Sequence, residues 1–411
     1  MSINRNLDEL LVPVAFGGTA SPNPTRPGRY AAPKGWEPGV QYDAAGHPET
    51  ITTSVVPEAS SENDYLDIVR AMGIQLPTGY TVRLLSASYD PAAWHRDEPG
   101  DDAVTRPVWR YKFAVVPASA AAAAHADEAL LALIKKARPT KRPAATGDGK
   151  AFLVAYADIQ VGKVDDAGGT AETWQRVVDK TDEAVARLKE LRKAGRTVDT
   201  IYIAFLGDCV EGVTSQGGRL ATRQDLAPSE QVRVLRHLIT YIVKAFAPLA
   251  DKVVVAAIPG NHDETTRQFA SVQTDSWDLD VVASVQERLS ENPQAFGHVS
   301  FVFPQYDRST VTLDMAGTIV GLAHGHKLRG GAEKWWAAQA HGCQPIGEAT
   351  LLITGHYHHL RVVQAGVKTW MQCPALDNGS RWFTETSGAE APAGLLTALV
   401  GGGGWDDLKV L

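Results

Sequence analysis

Residues 201–211 read IYIAFLGDCVE, and this stretch decides the predicted fold. Its first six residues carry no charge and predict a strand that is buried on both faces of a sheet. Gly207 and Asp208 follow directly where this run ends. A carboxylate at that point is a candidate ligand or catalytic group, because loops at the carboxyl edge of an α/β sheet converge on binding sites.

Four more apolar runs are soon followed by Asp, Asn, Gln or His. They are FLVAYA at 152–157, VVVAAI at 253–258, IVGLA at 319–323 and LLIT at 351–354. Segments of helical period lie between several of the runs, one ending near Gly195 and another beginning after Pro228. Continuous apolar strands that alternate with amphipathic helices predict a layered α/β domain.

The polar residues behind these strands are carboxylates, carboxamides and imidazoles: Asp158, Gln160, Asp208, Asn261, His262, Asp263, His324, His326, His356 and His358. Such groups are ligands for Mn²⁺, Fe²⁺ or Zn²⁺, and the absence of cysteine from the set argues against a structural zinc site. Any one of these residues alone is more often structural. Together they are too many for one ion and suit two ions that share a carboxylate, an arrangement that can clamp a phosphate ester.

The motifs, in this order, resemble the signature of the calcineurin-like metallophosphoesterase superfamily, which is DxH, GDxxD/E, GNHD/E, an HGH-type turn and GHxH. The resemblance covers residues 152–376. It implies a four-layer α/β/β/α sandwich, formed here by residues 150–411, with a pair of metal ions at the ends of the sheets.

The resemblance also implies a role for each residue. Asp158 and His358 are expected to hold the first metal ion, Asp208 to bridge both ions, and Asn261, His324 and His356 to hold the second. His262 is expected to contact the phosphate or protonate the leaving oxygen, with Asp263 orienting its ring.

Gln160 departs from the family pattern, because the third residue of DxH is a carboxamide here instead of an imidazole. Its oxygen can coordinate directly, act through water, or leave the first position weaker. A harder ligand set favours Mn²⁺ or Mg²⁺, so the expected cofactor is two divalent ions, Mn²⁺ first, with Fe²⁺, Zn²⁺ or Mg²⁺ as alternatives. A metal-poor scaffold without catalysis is the rival interpretation.

The substrate is less well determined by the sequence. Basic residues beside aromatic ones, as in Lys327, Arg329, Trp335 and Trp336, suit a nucleic acid strand, although core packing of the two tryptophans is an equal alternative. The candidate substrate contacts in this stretch are His326, Lys327 and Arg329. Arg381, beside Trp382 and Phe383, is a further candidate.

The DxQ variant and the stretch PALDNGSRWF (374–383) also resemble phage-encoded relatives of SbcD-type DNA repair nucleases. The favoured activity is therefore a phosphodiesterase or nuclease acting on DNA. A phosphomonoesterase for nucleotides or other small molecules is the alternative enzyme.

Length and composition set the wider frame. The 411 residues suggest two domains, and the net charge of −7 argues against coating nucleic acid by bulk charge. The three cysteines lie far apart, and no apolar stretch is long enough to span a membrane, so a cytoplasmic protein is expected, in the host cytoplasm if phage-encoded. We expect an irregular lead (1–40), a small α+β module (41–117) as a candidate surface for a homo-oligomer or protein partner, an Ala-rich helix with a basic linker (118–149), and the catalytic domain (150–411).

Overall fold

The computed structural model describes residues 36–42, 48–54, 56, 65–74, 76, 80–95, 104–117, 129–147, 149–165, 167–213, 224–266, 271–381, 384–385, 388 and 392–411. These residues form two compact units, one containing the described residues up to 117 and the other those from 129 onward. Most of the predicted lead (1–35), part of the predicted linker (118–128), Trp382 and Phe383 lie outside the described residues.

The smaller unit combines a helix with an antiparallel sheet. Its elements are β1 (Gly39–Tyr42), β2 (Pro48–Thr52), α1 (Tyr65–Ala71), β3 (Tyr80–His95) and β4 (Val104–Pro117), and its sheet order is β1-β2-β4-β3. Tyr111 and Phe113 of β4 are buried with Ile51 and Val69, and Trp109 is packed against the same core. The aromatic face of β4 therefore packs the interior of this unit.

The larger unit contains, in chain order, β5 (Lys150–Tyr156), α2 (Thr170–Lys193), β6 (Val198–Phe205), α3 (Pro228–Phe246), β7 (Lys252–Ala257), α4 (Trp277–Ser290), α5 (Pro293–Phe296), β8 (Val299–Val302), β9 (Thr310–Met315), β10 (Thr318–Ala323), α6 (Ala332–His341), β11 (Leu351–Thr354), β12 (Arg361–Ala365), β13 (Lys368–Gln372), β14 (Leu396–Gly401) and β15 (Gly404–Val410). A further helical stretch covers 129–135. Each of the five apolar runs in the sequence lies in one of these strands to within one residue, so the predicted α/β fold is confirmed.

The strands of the larger unit form two mixed sheets. One has six strands in the order β15-β14-β5-β6-β7-β8, of which β5 to β8 are parallel. The other has five strands in the order β12-β13-β11-β10-β9, in which the central three are parallel and both edge strands are antiparallel. The parallel strands of each sheet thus end at a common edge.

The two sheets face each other across one apolar core. Leu153 of β5 and Ile353 of β11 both belong to this core, with side chains from most of the other strands. Leu352, which precedes Ile353 and lies on the opposite face of β11, packs with Trp336 of α6. On the outer face of β5, the Tyr156 hydroxyl lies 2.8 Å from the hydroxyl of Thr181 in α2. Strand alternation therefore separates the core between the sheets from the helices outside.

Residues 129–147 are bonded to the larger unit, although part of this stretch was predicted to be a linker. Asn292 donates from Nδ2 to the backbone oxygen of Ile134 at 2.9 Å. Arg142 Nη1 lies 2.8 Å from His298 Nδ1, and the Thr146 amide donates to Asp199 Oδ1 at 2.8 Å. Among the described residues, every helix is too short or too polar to cross a bilayer.

Candidate metal centre

The predicted metal ligands lie at the carboxyl ends of the strands. Asp158, Asp208 and Asn261 follow β5, β6 and β7 of the six-stranded sheet. His324 and His356 follow β10 and β11 of the five-stranded sheet. Because the two sheets share a core, their adjacent edges bring residues from both sheets to one site.

Backbone strain is concentrated at this site. Of the nine described residues other than glycine that have positive φ, five were predicted from the sequence to be ligands: Asp158, Gln160, Asp208, His356 and His358, with φ between 48° and 71°. Residues with a Cβ rarely adopt this conformation, and each such residue costs on the order of 1 kcal/mol. Strain of this kind persists where the surrounding structure fixes it, and it is typical of functional sites.

Asp208 is held in place by backbone amides. Its Oδ1 accepts hydrogen bonds from the amides of Asn261 at 2.6 Å and His262 at 2.7 Å. A Cβ at Gly260 would lie 2.0 Å from the same oxygen, so only glycine fits there. The other carboxylate oxygen, Oδ2, lies 2.9 Å from Nε2 of His324. One oxygen of Asp208 is therefore anchored, and the other faces the imidazole ring.

His324 is oriented in the manner of a metal-binding histidine. Its Nδ1 lies 2.7 Å from the Leu206 carbonyl oxygen, which accepts the N–H hydrogen there. Its Nε2 is buried without a hydrogen bond, despite its closeness to Asp208. A histidine that donates from one nitrogen to a carbonyl oxygen and leaves the other for a ligand is the usual arrangement around bound metals.

Asp208, His324 and His356 each present a ligand atom within 4.8 Å of the other two. We call these three residues the Asp208 group. In the described part of the chain it is the only such cluster of three or more His, Cys, Asp or Glu residues. One carboxylate oxygen with two imidazole nitrogens suits Mn²⁺, Fe²⁺ or Zn²⁺. The buried Nε2 of His324 and the anchored carboxylate therefore fit a divalent cation.

Charges within the Asp208 group are strongly coupled. Burial alone would raise the pKa of Asp208, but the His324 and His262 rings hold it well below its usual range. Burial would likewise lower the pKa of His324, yet Asp208 raises it to about 9. Burial and the neighbouring His324 lower the pKa of His356 to about 4, so its ring is neutral at pH 7. The group thus offers an ionised carboxylate and a neutral imidazole.

The expected first metal position has a different environment. Asp158 Oδ2 accepts the His356 amide at 2.8 Å, and Oδ1 lies 3.3 Å from His358 Nε2 without a hydrogen bond. A Cβ at Gly355 would lie 2.7 Å from Oδ2. This carboxylate is therefore anchored by one oxygen, as Asp208 is.

A lysine reaches into this second half of the site. Lys163 Nζ donates to Gln160 Oε1 at 2.7 Å and also bonds to Asp377 Oδ2. Asp377 Oδ2 lies 3.3 Å from His358 Nδ1 as well. We call Asp158, Gln160, Lys163, His358 and Asp377 the Lys163 group. The Gln160 oxygen expected to bind metal is therefore occupied by an ammonium group, and this half does not fit an ion as the structure has it.

The charges around His358 and Asp377 reinforce each other. Burial would lower the pKa of His358, but Asp377 and Asp158 raise it to about 10. Burial would raise the pKa of Asp377, but His358 and Lys163 hold it below its usual range. Both carboxylates thus lie beside protonated partners.

His262 lies between the two halves of the site. Its Nδ1 is 3.2 Å from Glu211 Oε2 and 3.4 Å from Gln160 Nε2. Burial would lower the pKa of His262, but Asp208 first and then Glu211 raise it above its ordinary value. These two carboxylates therefore favour the protonated form of the ring, and Nδ1 is turned to Glu211.

Asp263 does not have the orienting role that the sequence suggested. Its carboxylate accepts the Gly260 amide at 2.7 Å and the Ser276 hydroxyl, so it is bonded away from the His262 ring. Glu211 is the carboxylate at that ring. The difference arises because the chain turns after His262 and the next residue, Asp263, is fully buried. Burial and Asp208 raise the pKa of Asp263 to about 6.

The four candidate substrate residues differ in position. His326 and Lys327 line a cleft of about 260 Å³ with Gly260, Asp263 and Gln273. Burial and then His324 lower the pKa of His326 to about 3. Arg329 and Arg381 are exposed at the surface, the latter with its Nε 4.0 Å from Glu385. The structure therefore brings two of the four to a cleft beside the metal ligands.

The tryptophans of α6 pack the interior. Trp336 is buried and donates from Nε1 to the Ile346 carbonyl oxygen at 2.8 Å, and Trp335 is partly buried against the same cluster. Core packing, which the sequence left as an equal alternative, is what the structure has. These rings are not a base-stacking surface.

Sequence reasoning overlooked three residues of the site: Lys163, Glu211 and Asp377. Glu211 had a signal, because it is the last residue of the GDxxE motif. Lys163 lies three residues after Gln160, and Asp377 lies in the PALDNG stretch, but neither spacing by itself indicates a contact.

Comparison with known proteins gives structural matches only. No protein-family model and no curated protein matches the sequence. Among solved structures, a protein from Streptococcus pneumoniae TIGR4 described as a predicted phosphoesterase is 12% identical, with a TM-score of 0.29 over 64% of this chain and 90% of that chain. An archaeal phosphodiesterase is 11% identical, with a TM-score of 0.29 over 63% of this chain and 99% of that chain.

A third match is Vps29 of Entamoeba histolytica in complex with Zn²⁺, at 14% identity and a TM-score of 0.25, covering 63% of this chain and 98% of that chain. All three TM-scores lie well below 0.5. At that level the similarity assigns neither a family nor an activity to this chain, and the resemblance to SbcD-type nucleases stays a prediction.

Proposed function

We propose that this protein is a metal-dependent phosphoester hydrolase. The observation that carries the proposal is the Asp208 group, a buried carboxylate and two imidazoles within 4.8 Å of one another, with His262 held beside it by Glu211. A divalent cation held there would neutralise the charge of a phosphate and lower the pKa of a water molecule.

The chain's own residues supply the remaining functions. Glu211 faces Nδ1 of His262, so Nε2 is the nitrogen that remains to donate a proton to the leaving oxygen of an ester. Asp208 raises the pKa of His262 and so favours its acid form before reaction. The amides of Asn261 and His262 fix the position of Asp208, and Asp208 in turn helps to fix the orientation of the His324 ring.

We propose a DNA phosphodiester as the substrate. This is supported by Lys327 at the cleft and by Arg329 and Arg381 at the surface, which suit a backbone of repeated phosphates. Mn²⁺ is the proposed ion, because carboxylate and imidazole ligands with a carboxamide nearby form a relatively hard set.

A second candidate is a phosphomonoesterase for a small polar molecule such as a nucleotide. The favouring observation is the cleft itself, which is small at about 260 Å³ and lined largely by polar residues. A cleft of this size accommodates a compact ligand better than a stacked strand.

The test is hydrolysis of single- and double-stranded DNA, bis-p-nitrophenyl phosphate, p-nitrophenyl phosphate and nucleotides with Mn²⁺. We expect cleavage of DNA and the model diester, and loss of that activity in Asp208→Asn. Asp179→Asn is the matched control, because Asp179 is exposed on α2 and bonds only locally to Gln175. Its activity should equal that of the unaltered protein.

Preferential hydrolysis of the monoesters would replace the diesterase proposal with the second candidate. Failure to cleave any substrate, with Mn²⁺ bound at the site, would contradict both and indicate a metal-binding scaffold.

A further inference from the structure

The two halves of the site differ in the ligand atoms that they leave available to a metal ion. Each half has a buried ligand atom without a hydrogen bond, Nε2 of His324 in the Asp208 group and Oδ1 of Asp158 in the Lys163 group. In the Lys163 group, the carboxamide oxygen of Gln160 already accepts a hydrogen bond from the Lys163 ammonium. A positive charge of the protein thus lies beside the ligand position where the family pattern implies a metal ion.

The Lys163 ammonium is built into the structure. Its side chain is 12% exposed and that of its partner Asp377 is 3% exposed, so their ion pair is buried. The Lys163 amide donates to the Gln160 carbonyl oxygen at 3.0 Å, and this hydrogen bond closes a tight turn between the two residues. Asn378 donates from Nδ2 to the Lys163 carbonyl oxygen at 3.0 Å.

Asp377 is fixed from the other side. Arg176 of α2 donates from Nη1 to the carbonyl oxygens of Leu376 at 2.9 Å and Asp377 at 2.8 Å. The Asp377 carboxylate also lies 3.3 Å from His358 Nδ1. Lys163 is therefore held between two groups whose own positions are set by the fold.

We propose that the Lys163 ammonium takes the place of the first metal ion, so that the protein binds one divalent ion, at the Asp208 group. This inference rests on the proposed function of that group. Lys163 would compensate the charge of Asp377 and hold Gln160, whose amide nitrogen contacts His262, in a fixed orientation. It would thereby set the metal stoichiometry.

Displacing Lys163 by an ion would be unfavourable for two reasons. Breaking a buried ion pair leaves an unpaired charge in a medium of low polarity. If the lysine stayed, a divalent ion beside an ammonium would meet like-charge repulsion that water screens poorly there. In the Asp208 group, by contrast, Asp208 Oδ2 faces Nε2 of His324, which has no hydrogen bond.

The experiment measures bound Mn²⁺ in the full-length protein by elemental analysis after equilibration, with the electron paramagnetic resonance spectrum of the bound ion. We expect one Mn²⁺ per chain and the signal of a magnetically isolated ion. Two Mn²⁺ per chain with an exchange-coupled signal would overturn the inference and leave the proposed hydrolase intact. No bound Mn²⁺ would contradict the proposed function itself.

Two variants then test whether Lys163 is the cause. Lys163→Met removes the charge and keeps the chain length, and Lys163→Met with Gln160→His restores an imidazole at the first position. We expect the double variant to bind two Mn²⁺ per chain. The matched control is Lys150→Met, because Lys150 is also partly buried and paired with an aspartate, Asp406. It should bind one ion, as the unaltered protein does.

A folded double variant that still binds one Mn²⁺ would show that Lys163 does not exclude the second ion, and the inference would be wrong. The count for the unaltered protein tests the inference even if the variants do not fold.

Discussion

The Asp208 group and the Lys163 group lie at the same edge of the sheets and share one local arrangement. In both, an aspartate at positive φ has one oxygen anchored by a backbone amide and packed against a glycine, with the other near a histidine. They differ in the other groups bonded beside the aspartate. In the first half Asp208 Oδ2 faces His324, whereas in the second Lys163 is bonded to Gln160 and Asp377. Equal backbone geometry therefore does not imply equal metal occupancy.

The difference reflects how each half balances its charge. Asp208 is opposed by the His324 and His262 rings, and it raises the pKa of His324 to about 9, which favours a proton on that ring. A divalent cation can replace that proton. Asp158 lies beside His358, and Asp377 lies beside both His358 and Lys163. Variants that change one half should therefore leave the other half largely unaffected.

Asp208→Asn should have the largest effect. The substitution keeps the shape of the side chain but removes the charge that holds the cation, so Mn²⁺ affinity should fall by more than about 100-fold. This loss exceeds the roughly 10- to 100-fold loss that is typical when a residue that only contacts a metal ligand is replaced. Titration calorimetry with Mn²⁺ measures this, with Asp179→Asn as the control. A loss below about 10-fold would place the ion outside the Asp208 group.

His262→Asn should come next. Loss of a general acid lowers turnover by a factor of roughly 100 or more, while Mn²⁺ affinity should change little because His262 is not a ligand. Steady-state kinetics on the best substrate, together with calorimetry, separates the two effects. His341→Asn, at the exposed end of α6, is the control. Collapse of Mn²⁺ binding would instead make His262 a ligand.

Glu211→Gln should have a smaller effect with a characteristic pH dependence. Glu211 raises the pKa of His262, and the acid form is present below that pKa and lost above it. Removing the charge should lower the pKa, so the alkaline limb of the pH–rate profile should move to lower pH, with turnover near neutrality reduced about 10-fold. An unshifted limb would mean that Glu211 does not tune the acid. Glu190→Gln, on the exposed surface of α2, should leave the profile unchanged.

The fold was largely accessible from the sequence because its determinants are local. Runs such as 201–206 carry no charge, so they are typical of strands in a sheet covered on both faces, and the polar residue after each run marks the strand end. The same logic placed Asp208, His324 and His356 together, since strands that end at one edge deliver their next residues to one place.

What the sequence did not reveal depends on contacts between distant residues. Lys163 and Asp377 are 214 positions apart, and their pairing is set by the turn after Gln160 and by Arg176. Asp263 is adjacent to His262 in the chain, yet Glu211, 51 positions away, is the carboxylate at the ring. Proximity in sequence favoured the wrong partner because a tight turn sends successive side chains in different directions.

Gln160→His alone should have the smallest effect. With Lys163 still in place, the new imidazole would meet the same ammonium, so the number of bound Mn²⁺ ions should stay at one and the affinity should change by less than about threefold. Titration calorimetry measures both, with Gln175→His on the exposed face of α2 as the control. A second ion bound by this single variant would mean that the carboxamide, and not Lys163, distinguishes the two halves.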